Sequence, residues 1–394
     1  QMSSLTVGVD EFTLILQAAD KVKVTDWPDT VDKMLETFLH RSRLTRLFGP
    51  MSPAAKMQAG YTSGLTFDNR PWYLTISWNE DMPTMGICVR YSAHAYAIYK
   101  EAYKEQYQAN LDIAVFLDMV QDDVYTTRLS RIDLTADYFD YPDELLPDRQ
   151  LSPDLIYERL KNGAYVVRNR NDRQSVRNMS ALDREGRYET VYIGSRKGKT
   201  NGFLRVYDKK QEQIQTMGYC YDEALQYESW VRFEASFLHD AAHQLTEQLL
   251  SVSEGMTAQD LQRWIARHIT DKYRFVHSET GEATEFTADL LGVVAGSSVA
   301  ALSTPSPRDN ALRQSINYLR DNSGLYSTLY KALCVWENDA DKQLMDFLWK
   351  DYERYKDALT MGKEPYKLRE IEGWLKRHAA ETKKHPLASY LGKV

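Results

Sequence analysis

The sequence has few cysteines and no long hydrophobic run. Its 394 residues include only Cys88, Cys220 and Cys334, which are odd in number and far apart. This spacing argues against both a disulfide framework and a cysteine-based zinc site, so a reducing, cytoplasmic setting is the simplest expectation. The longest weakly polar run, 290–302, is too short and too rich in Gly and Ser to span a bilayer. We therefore expect no membrane partner.

Positive charge is scarce overall but concentrated in one segment. The net charge is −7, yet residues 168–210 contain twelve Lys or Arg against five Asp or Glu. This segment indicates contact with a phosphate backbone, with a solvated basic loop as the alternative. Interleaved Asn and Tyr favour a polynucleotide, because amides bind base edges and aromatic rings stack on bases. The candidate DNA-binding side chains are Arg168, Arg170, Arg173, Arg196, Lys197 and Lys199.

Hydrophobic periodicity predicts an α+β protein. Strand-like stretches such as Tyr125–Phe139 follow one another without crossover helices, which favours an antiparallel sheet. Residues 93–120 read as one long helix, and Ser152 before Pro153 is typical of a helix start. The pattern becomes mainly helical towards the C-terminus. We predict one domain over 1–280 and a helical region over 281–394.

Three of the predicted strands have one apolar and one polar face. Side chains alternate along a strand, so each of these segments can be divided into two faces. The polar faces carry Arg131, Asp133, Thr135 and Asp137; Arg205, Tyr207 and Lys209; and Arg232, Glu234 and Ser236. A solvated outer face would also be polar. Three such strands beside the basic segment favour an active site, in which a phenol, acids and cations converge on one exposed surface.

This composition suits phosphoryl transfer to tyrosine. Carboxylates such as Asp133 and Glu234 can hold a hard divalent cation, Mg²⁺ or Mn²⁺, which polarises a phosphodiester. A tyrosine hydroxyl can then attack phosphorus, helped by cations such as Arg205 and Lys209. The resulting phosphotyrosine retains the energy of the broken strand, so the cut can be resealed.

Five segments resemble the Rep_trans family of replication initiation factors, which includes rolling-circle initiators of plasmids and phages and related relaxases. They are MGICVRYSAHAYAIY (85–99), RIDLTADYFD (131–140), ETVYIGSRKGKTNGFLRVYDKKQE (189–212), WVRFEASF (230–237) and, more loosely, YRFVH (273–277). The segments occur in the family's order, and the YIGSR and RVYDKK pair is the most specific. The resemblance implies a nicking domain with a fold similar to the HUH endonucleases.

The resemblance also implies roles for individual residues. Tyr207 would be the nucleophile that becomes linked to a 5′ phosphate, with Asp133 and Glu234 as metal-side acids. Asp137 would be a further metal-side acid, and Arg205 and Lys209 would be supporting catalytic residues. The implied partners are origin DNA as a hairpin or single strand, a second copy of the chain and a host helicase. None of the eight histidines forms the His-x-His pair of the wider HUH group, so metal ligation depends on carboxylates.

Four other functions remain as alternatives. A relaxase of a mobile element would use the same chemistry, and a non-catalytic origin-binding protein would keep the sheet and the basic loop. A phosphate loop at GKT (198–200) is disfavoured, because only three residues separate it from Gly194. A zinc peptidase is disfavoured because Asp240, not Glu, follows His239 in the pair with His243.

Overall fold

The structure is a computed structural model, and its chain separates into two compact units, 1–304 and 305–394. The described residues are 4–67, 74–174, 178–184, 186–196, 200–216, 218, 220–252, 255–295, 312, 316, 319–320, 324–363, 365–384 and 386–391. The linker predicted at 303–308 and most of the helix predicted at 310–319 lie outside them.

An antiparallel sheet forms the centre of the first unit and confirms the predicted α+β class. The strands are β1 (Ser4–Ala18), β2 (Ser52–Pro53), β3 (Ser63–Thr66), β4 (Leu74–Trp78), β5 (Ile87–Tyr91), β6 (Tyr125–Phe139), β7 (Tyr165–Arg168), β8 (Met179–Arg184), β9 (Arg187–Ile193), β10 (Gly202–Asp208), β11 (Trp230–Leu238) and β12 (Arg274–His277). In the described part of the chain, ten strands form one sheet in the order β2-β3-β4-β5-β1-β6-β11-β10-β9-β8. β7 and β12 pair separately.

Helices flank this sheet and make up the described part of the second unit. In the first unit they are α1 (Trp27–Ser42), α2 (Leu44–Phe48), α3 (Ala93–Tyr107), α4 (Ile113–Met119), α5 (Pro153–Lys161), α6 (Lys209–Thr216), α7 (Tyr221–Ala224), α8 (Asp240–Val252), α9 (Ala258–Lys272) and α10 (Glu285–Val294), with short 3-10 turns at Val24–Asp26 and Pro83–Met85. In the second unit they are α11 (Leu325–Trp336), α12 (Ala340–Thr360), α13 (Pro365–Thr382) and α14 (Ala388–Leu391). The helical C-terminal region is therefore confirmed. No helix in the described ranges is both long and apolar enough to cross a membrane.

The single helix predicted over residues 93–120 is wrong, because the chain breaks it into α3 and α4. Gln108 adopts a left-handed conformation (φ 51°) that closes the C-terminus of α3. Asp112 then caps α4 by accepting a hydrogen bond from the Val115 N–H. Apolar spacing continues across the break, which is why periodicity alone did not reveal it. The predicted cap of α5 is confirmed, since Ser152 accepts from the Leu155 N–H.

The three strands with polar faces lie side by side as β6, β11 and β10. Their predicted core-facing residues Ile132, Leu134 and Ala136 are fully buried in the main hydrophobic cluster. Helices α8 and α9 contact β6, and α8 also contacts β11. One face of the sheet is thus covered by helices, and the alternation of side chains directs the charged residues to the other face.

A β-bulge interrupts the pairing of β1 with β6. Val9 is opposite Leu134 and Phe12 is opposite Ile132, so Asp10 and Glu11 share the position facing Asp133. A bulge of this kind inserts one residue and redirects the side chains beside it. Here two carboxylates, Asp10 and Glu11, stand at the centre of the sheet where regular pairing would place one residue. They lie next to the polar faces of β6 and β11.

His268 is buried in the core without a polar partner. It lies on α9, packs at 4.4 Å from the ring of Trp264, and both ring nitrogens lack a hydrogen bond in the described part of the chain. Burial, with Arg267 and Lys272 nearby, lowers the pKa of its imidazole to about 3. The folded protein therefore holds this histidine neutral at pH values where the unfolded chain protonates it.

His268→Leu should make the first unit less sensitive to acid. Between the ordinary pKa of 6.5 and about 3, the unfolded state binds more protons, so stability decreases as the pH falls. At pH 5 this one group removes about 2 kcal/mol of stability. Urea unfolding followed by tryptophan fluorescence at pH 7 and pH 5 should show a smaller difference for the variant by about that amount. An unchanged pH dependence would contradict this assignment.

Candidate active site

Tyr207 and Glu234 meet on the polar face of the sheet. In the antiparallel pair of β10 with β11, Arg205 is opposite Glu234 and Tyr207 is opposite Arg232. The Tyr207 hydroxyl donates a hydrogen bond to Glu234 Oε2 at 3.2 Å, and Arg205 donates to the same oxygen at 2.7 Å. The Arg205 guanidinium also lies 4.1 Å from the centre of the Tyr207 ring. The phenol is thus held between a carboxylate and a stacked cation.

The expectation of an exposed phenol is wrong. Only 3% of Tyr207 is accessible to solvent. Burial and the nearby Glu234 raise the pKa of the phenol well above 10, against the opposing effect of Arg232 and Arg205. The hydroxyl is nevertheless in the polar network and not in the hydrophobic core. A phosphate can reach it only after side chains around the ring, such as the partly exposed Arg205, have moved.

Asp133 lies on the same face and is also bound by an arginine. Arg131 donates to both of its carboxylate oxygens, at 3.1 and 2.6 Å. Arg131 is also 3.5 Å from Glu11, which belongs to the bulge. Burial and the charge of Glu11 raise the pKa of Asp133, although Arg131 opposes this shift. Burial and the charges of Asp133 and Asp10 likewise raise the pKa of Glu234, with Arg205 opposing.

Asp137 is bound in a different part of the network. It accepts hydrogen bonds from Arg232 at 2.7 and 2.9 Å and from the Trp230 ring N–H at 2.7 Å. Arg232 also pairs with Asp10 at 2.5 Å, so one buried guanidinium connects two strands to β11. Burial would raise the pKa of Asp10, but Arg232 and Lys209 outweigh it and lower that pKa. Asp137 therefore acts here as an anchor for Arg232.

Lys209 begins α6 directly after β10 and is almost completely buried. Its ammonium lies 5.7 Å from the centre of the Tyr207 ring and pairs with Glu212 at 2.7 Å. Together with Arg205 and Arg232, it surrounds the phenol with positive charge. The structure thus places all six predicted catalytic and metal-side residues on one face of the sheet. Asp137 and Asp133 are bound by different arginines, Arg232 and Arg131.

Two carboxylates, Asp133 and Glu234, could serve as metal ligands, but they do not make a complete coordination shell. Among the described residues, no group of three His, Cys, Asp or Glu side chains is arranged to hold a metal. Asp133 and Glu234 share one face, and their raised pKa values reflect burial and negative neighbours. A divalent cation would relieve that repulsion. Mg²⁺ usually binds one or two carboxylates together with substrate phosphates and water, so this pair fits it.

The predicted basic residues lie in two places. Arg196 stacks 3.8 Å from the centre of the Tyr192 ring, and Tyr192 is opposite Arg205 in the β9–β10 pair. Arg196 is therefore next to the Tyr207 cluster, a name used here for the six predicted catalytic and metal-side residues together with Asp10, Glu11, Arg131 and Arg232. Arg168 ends β7 and pairs with Asp172, while the exposed Arg170 and Arg173 follow in the turn beside it. Lys197 and Lys199 lie outside the described residues.

His239 of the disfavoured peptidase motif lies directly before the helix that carries His243. His239 has a left-handed conformation (φ 50°) between β11 and α8, and α8 begins only at Asp240. His243 lies one turn into α8, 3.9 Å from Asp240. The His239 carbonyl accepts a hydrogen bond from the His243 N–H at 3.0 Å, so His239 stands at the start of α8 rather than within it. The zinc peptidase stays disfavoured because Asp240 occupies the place of the general-base Glu.

Two residues of the cluster, Asp10 and Glu11, were not identified from the sequence. Arg131 and Arg232 were placed on the polar faces but were given no role of their own. The adjacent acids Asp10 and Glu11 interrupt an otherwise largely apolar strand, and this was the available signal. Their position opposite Asp133 depends on the bulge, where the alternating apolar positions change phase between Val9 and Phe12.

A comparison with family models agrees with the resemblance. The family model for replication initiation factors, Rep_trans, matches residues 127–348, which is more than half of the chain. The chain belongs to the Rep_trans family. Its matched region contains β10, β11 and most of β6, and hence Tyr207, Glu234 and Asp133, whereas Asp10 and Glu11 on β1 lie outside it.

A search of solved structures found the rolling circle replication initiator protein from Geobacillus stearothermophilus. It is 15% identical, covers 75% of this chain and 99% of its own, and superposes with a TM-score of 0.46. A search of curated proteins found no match.

Arg232→Met should destabilise the first unit strongly. The substitution leaves Asp10 and Asp137 buried without their common partner, which costs about 3–5 kcal/mol. Arg41→Met is the matched control, because Arg41 pairs with Asp122 at 2.7 Å but keeps 47% of its side chain exposed. Its loss should cost at most about 1 kcal/mol. The measurement is the free energy of unfolding in urea. If both variants lose the same free energy, the buried pairs of Arg232 do not stabilise the first unit in the way proposed.

Proposed function

We propose that this protein is a rolling-circle replication initiator that nicks one strand of origin DNA and joins the 5′ phosphate to Tyr207. The observation that carries the proposal is the hydrogen bond from the Tyr207 hydroxyl to Glu234, inside a cluster of cations on the polar sheet face. Membership of the replication initiation factor family supports the same function. The proposed enzyme is a nicking and closing endonuclease, that is, a tyrosine transesterase.

In the proposed reaction, the phenol oxygen of Tyr207 attacks phosphorus and its proton passes to Glu234. The bond from phosphorus to the 3′ oxygen breaks, and that oxygen receives the same proton from Glu234, directly or through water, to become a 3′ hydroxyl, which leaves Glu234 ionised again. Arg205 and Lys209 stabilise the negative charge that develops on the phosphate. The reverse sequence reseals the strand. Glu234 is placed for this role because its Oε2 already accepts the phenol hydrogen bond.

A divalent metal, when bound, would polarise the phosphodiester. Asp133 and Glu234 would hold it, with the remaining ligands from DNA and water. In the structure these carboxylates are occupied by Arg131 and Arg205. Arg131 and Arg205 would therefore have to release these carboxylates for a metal to be held there, since a buried carboxylate needs a cationic partner. The partners that accompany this proposal are origin DNA, a second copy of the chain and a host helicase.

A non-catalytic origin-binding protein is the second candidate. The observation that favours it is the burial of Tyr207, whose phenol is neutral and covered in this conformation. Such a protein would bind DNA with a steep salt dependence but form no covalent product. A relaxase would use the same chemistry as the initiator and differs only in whether the nicked strand is transferred.

The covalent product gives the direct test of nicking. The protein is incubated with Mn²⁺ and a pool of single-stranded oligonucleotides containing a random region, and the products are separated under denaturing conditions. We expect a protein–DNA band that Tyr207→Phe abolishes. Tyr192→Phe is the matched control, because it removes a hydroxyl from the neighbouring strand β9 and should leave the band. A band that survives in Tyr207→Phe, or that never forms with the wild type, contradicts the assignment.

Metal binding can be measured separately from cleavage. In the Tyr207→Phe protein with bound oligonucleotide, Mn²⁺ affinity followed by electron paramagnetic resonance should fall by more than about tenfold on adding Asp133→Asn or Glu234→Gln, since even the loss of an outer partner has an effect of that size. Asp137→Asn is the informative comparison, because Asp137 is bound by Arg232 and Trp230. It should leave the affinity for Mn²⁺ unchanged. The same loss in all three variants would place Asp137 among the ligands.

A further inference from the structure

A small cavity lies beside the Tyr207 cluster on the polar face of the sheet. Its volume is about 180 Å³, and its floor is formed by β1, β6 and β11 while α3 forms a wall. The polar side chains that line it are Thr6, Asp10, Lys100, Thr135, Asp137 and Arg232. Asp10 and Arg232 also influence the pKa of Tyr207, so the cavity and the phenol share part of one network.

Gly8 leaves the floor of the cavity open. It is opposite Thr135 in the β1–β6 pair. A Cβ added at Gly8 would have one neighbour within 4 Å among the described residues, the Thr135 hydroxyl at 3.7 Å, which is an ordinary contact. The backbone conformation does not require glycine there, because its φ is not in the left-handed range. A larger side chain at this position would therefore fill the cavity without straining the strand.

Lys100 contributes a positive group to the wall. It lies on α3 with its ammonium 4.6 Å from the centre of the Tyr96 ring. Burial lowers the pKa of Lys100, with Asp10 and Asp112 opposing this shift and Arg232 adding to it. Lys100 is therefore a half-buried hydrogen-bond donor at the edge of the cavity, and a donor that is partly removed from water binds an acceptor more strongly than a solvated one does.

The charge of the lining indicates which part of DNA would fit. Two carboxylates, Asp10 and Asp137, balance the two cations Lys100 and Arg232. A phosphate would be repelled by the carboxylates, whereas a nucleobase is neutral and has both donors and acceptors on its edges. The volume corresponds to about six water molecules, which is room for one ring-sized polar group but not for a whole nucleotide.

We propose that this cavity binds a single nucleobase of the DNA strand, close to the phosphate that Tyr207 attacks, and selects for its identity. The position of that phosphate rests on the proposed function, because it assumes that Tyr207 is the nucleophile. Binding of a base in the cavity does not require this assumption. Enzymes that act on nucleic acids commonly hold an unstacked base in a fitted pocket and bind its polar edge. Lys100 donates to an acceptor on the base, while Thr135 and Asp10 face the rest of its edge.

The test measures binding, so that it does not depend on cleavage. A single-stranded oligonucleotide is selected from a random pool by affinity for the Tyr207→Phe protein. Each nucleotide is then replaced in turn by an abasic one, and binding is measured by fluorescence anisotropy. We expect one position at which loss of the base weakens binding by about tenfold or more. In Tyr207→Phe with Gly8→Leu, the intact oligonucleotide should bind more weakly by a similar factor, and the abasic change at that position should have no further effect.

A second pair of variants protects the test against misfolding of the Gly8→Leu protein. Lys100→Met should also remove most of the effect of the critical base. Lys104→Met is its matched control, since Lys104 lies one turn further along α3, is exposed and does not line the cavity. It should weaken binding equally for the intact and abasic oligonucleotides.

Three outcomes would overturn the proposal. They are an abasic scan without a sensitive position, a sensitive position that Gly8→Leu and Lys100→Met leave unchanged, and equal behaviour of the two lysine variants. Failure of the proposed nicking reaction gives a different result, namely no covalent product from the wild type on the selected oligonucleotide. If the product does form, its break should lie within a few nucleotides of the sensitive base.

Discussion

The arrangement of the polar sheet face depends on buried pairs between guanidinium and carboxylate groups. Arg232 holds Asp10 and Asp137 together, and Arg205 holds Glu234 where the Tyr207 hydroxyl can reach it. Charges buried in this way are tolerated only when each has a hydrogen-bonded partner. The backbone ladders set the register of β1, β6, β11 and β10, and the ion pairs fix the side chains that these strands contribute to this face.

The same pairs explain why this conformation is not ready for the proposed reaction. The phenol is neutral and covered, and the two carboxylates that could accept a metal are bound to arginines. Arg131 and Arg205 keep about a third of their side chains exposed, whereas the acids are almost inaccessible. A DNA phosphate arriving at this face would meet the guanidinium groups first. In the proposed reaction, the DNA phosphate therefore binds Arg131 and Arg205, and this separates them from Asp133 and Glu234.

Sequence reasoning located the main parts of the site because they follow strand alternation. Ile132, Leu134 and Ala136 face the core, so Asp133 and Asp137 had to face away from it, and the same argument placed Tyr207 and Glu234. The bulge at Asp10 and Glu11 was not predicted, although the alternating apolar positions shift there from Val7 and Val9 to Phe12, Leu14 and Leu16. The break at Gln108 was missed because apolar spacing continues through it. The burial of Tyr207 depends on neighbours from other strands, which one strand's sequence does not contain.

Identification of the residue that carries DNA in the wild-type protein tests the central claim most directly. The covalent product is digested with nuclease and protease, and the peptide that retains a 5′-phosphorylated nucleotide is sequenced by tandem mass spectrometry. The account predicts that the nucleotide is attached to the Tyr207 oxygen in the peptide that contains β10. Attachment to another side chain, such as Tyr188 or Tyr192 on β9, would show that the bond between Tyr207 and Glu234 is structural and that the reaction takes place elsewhere.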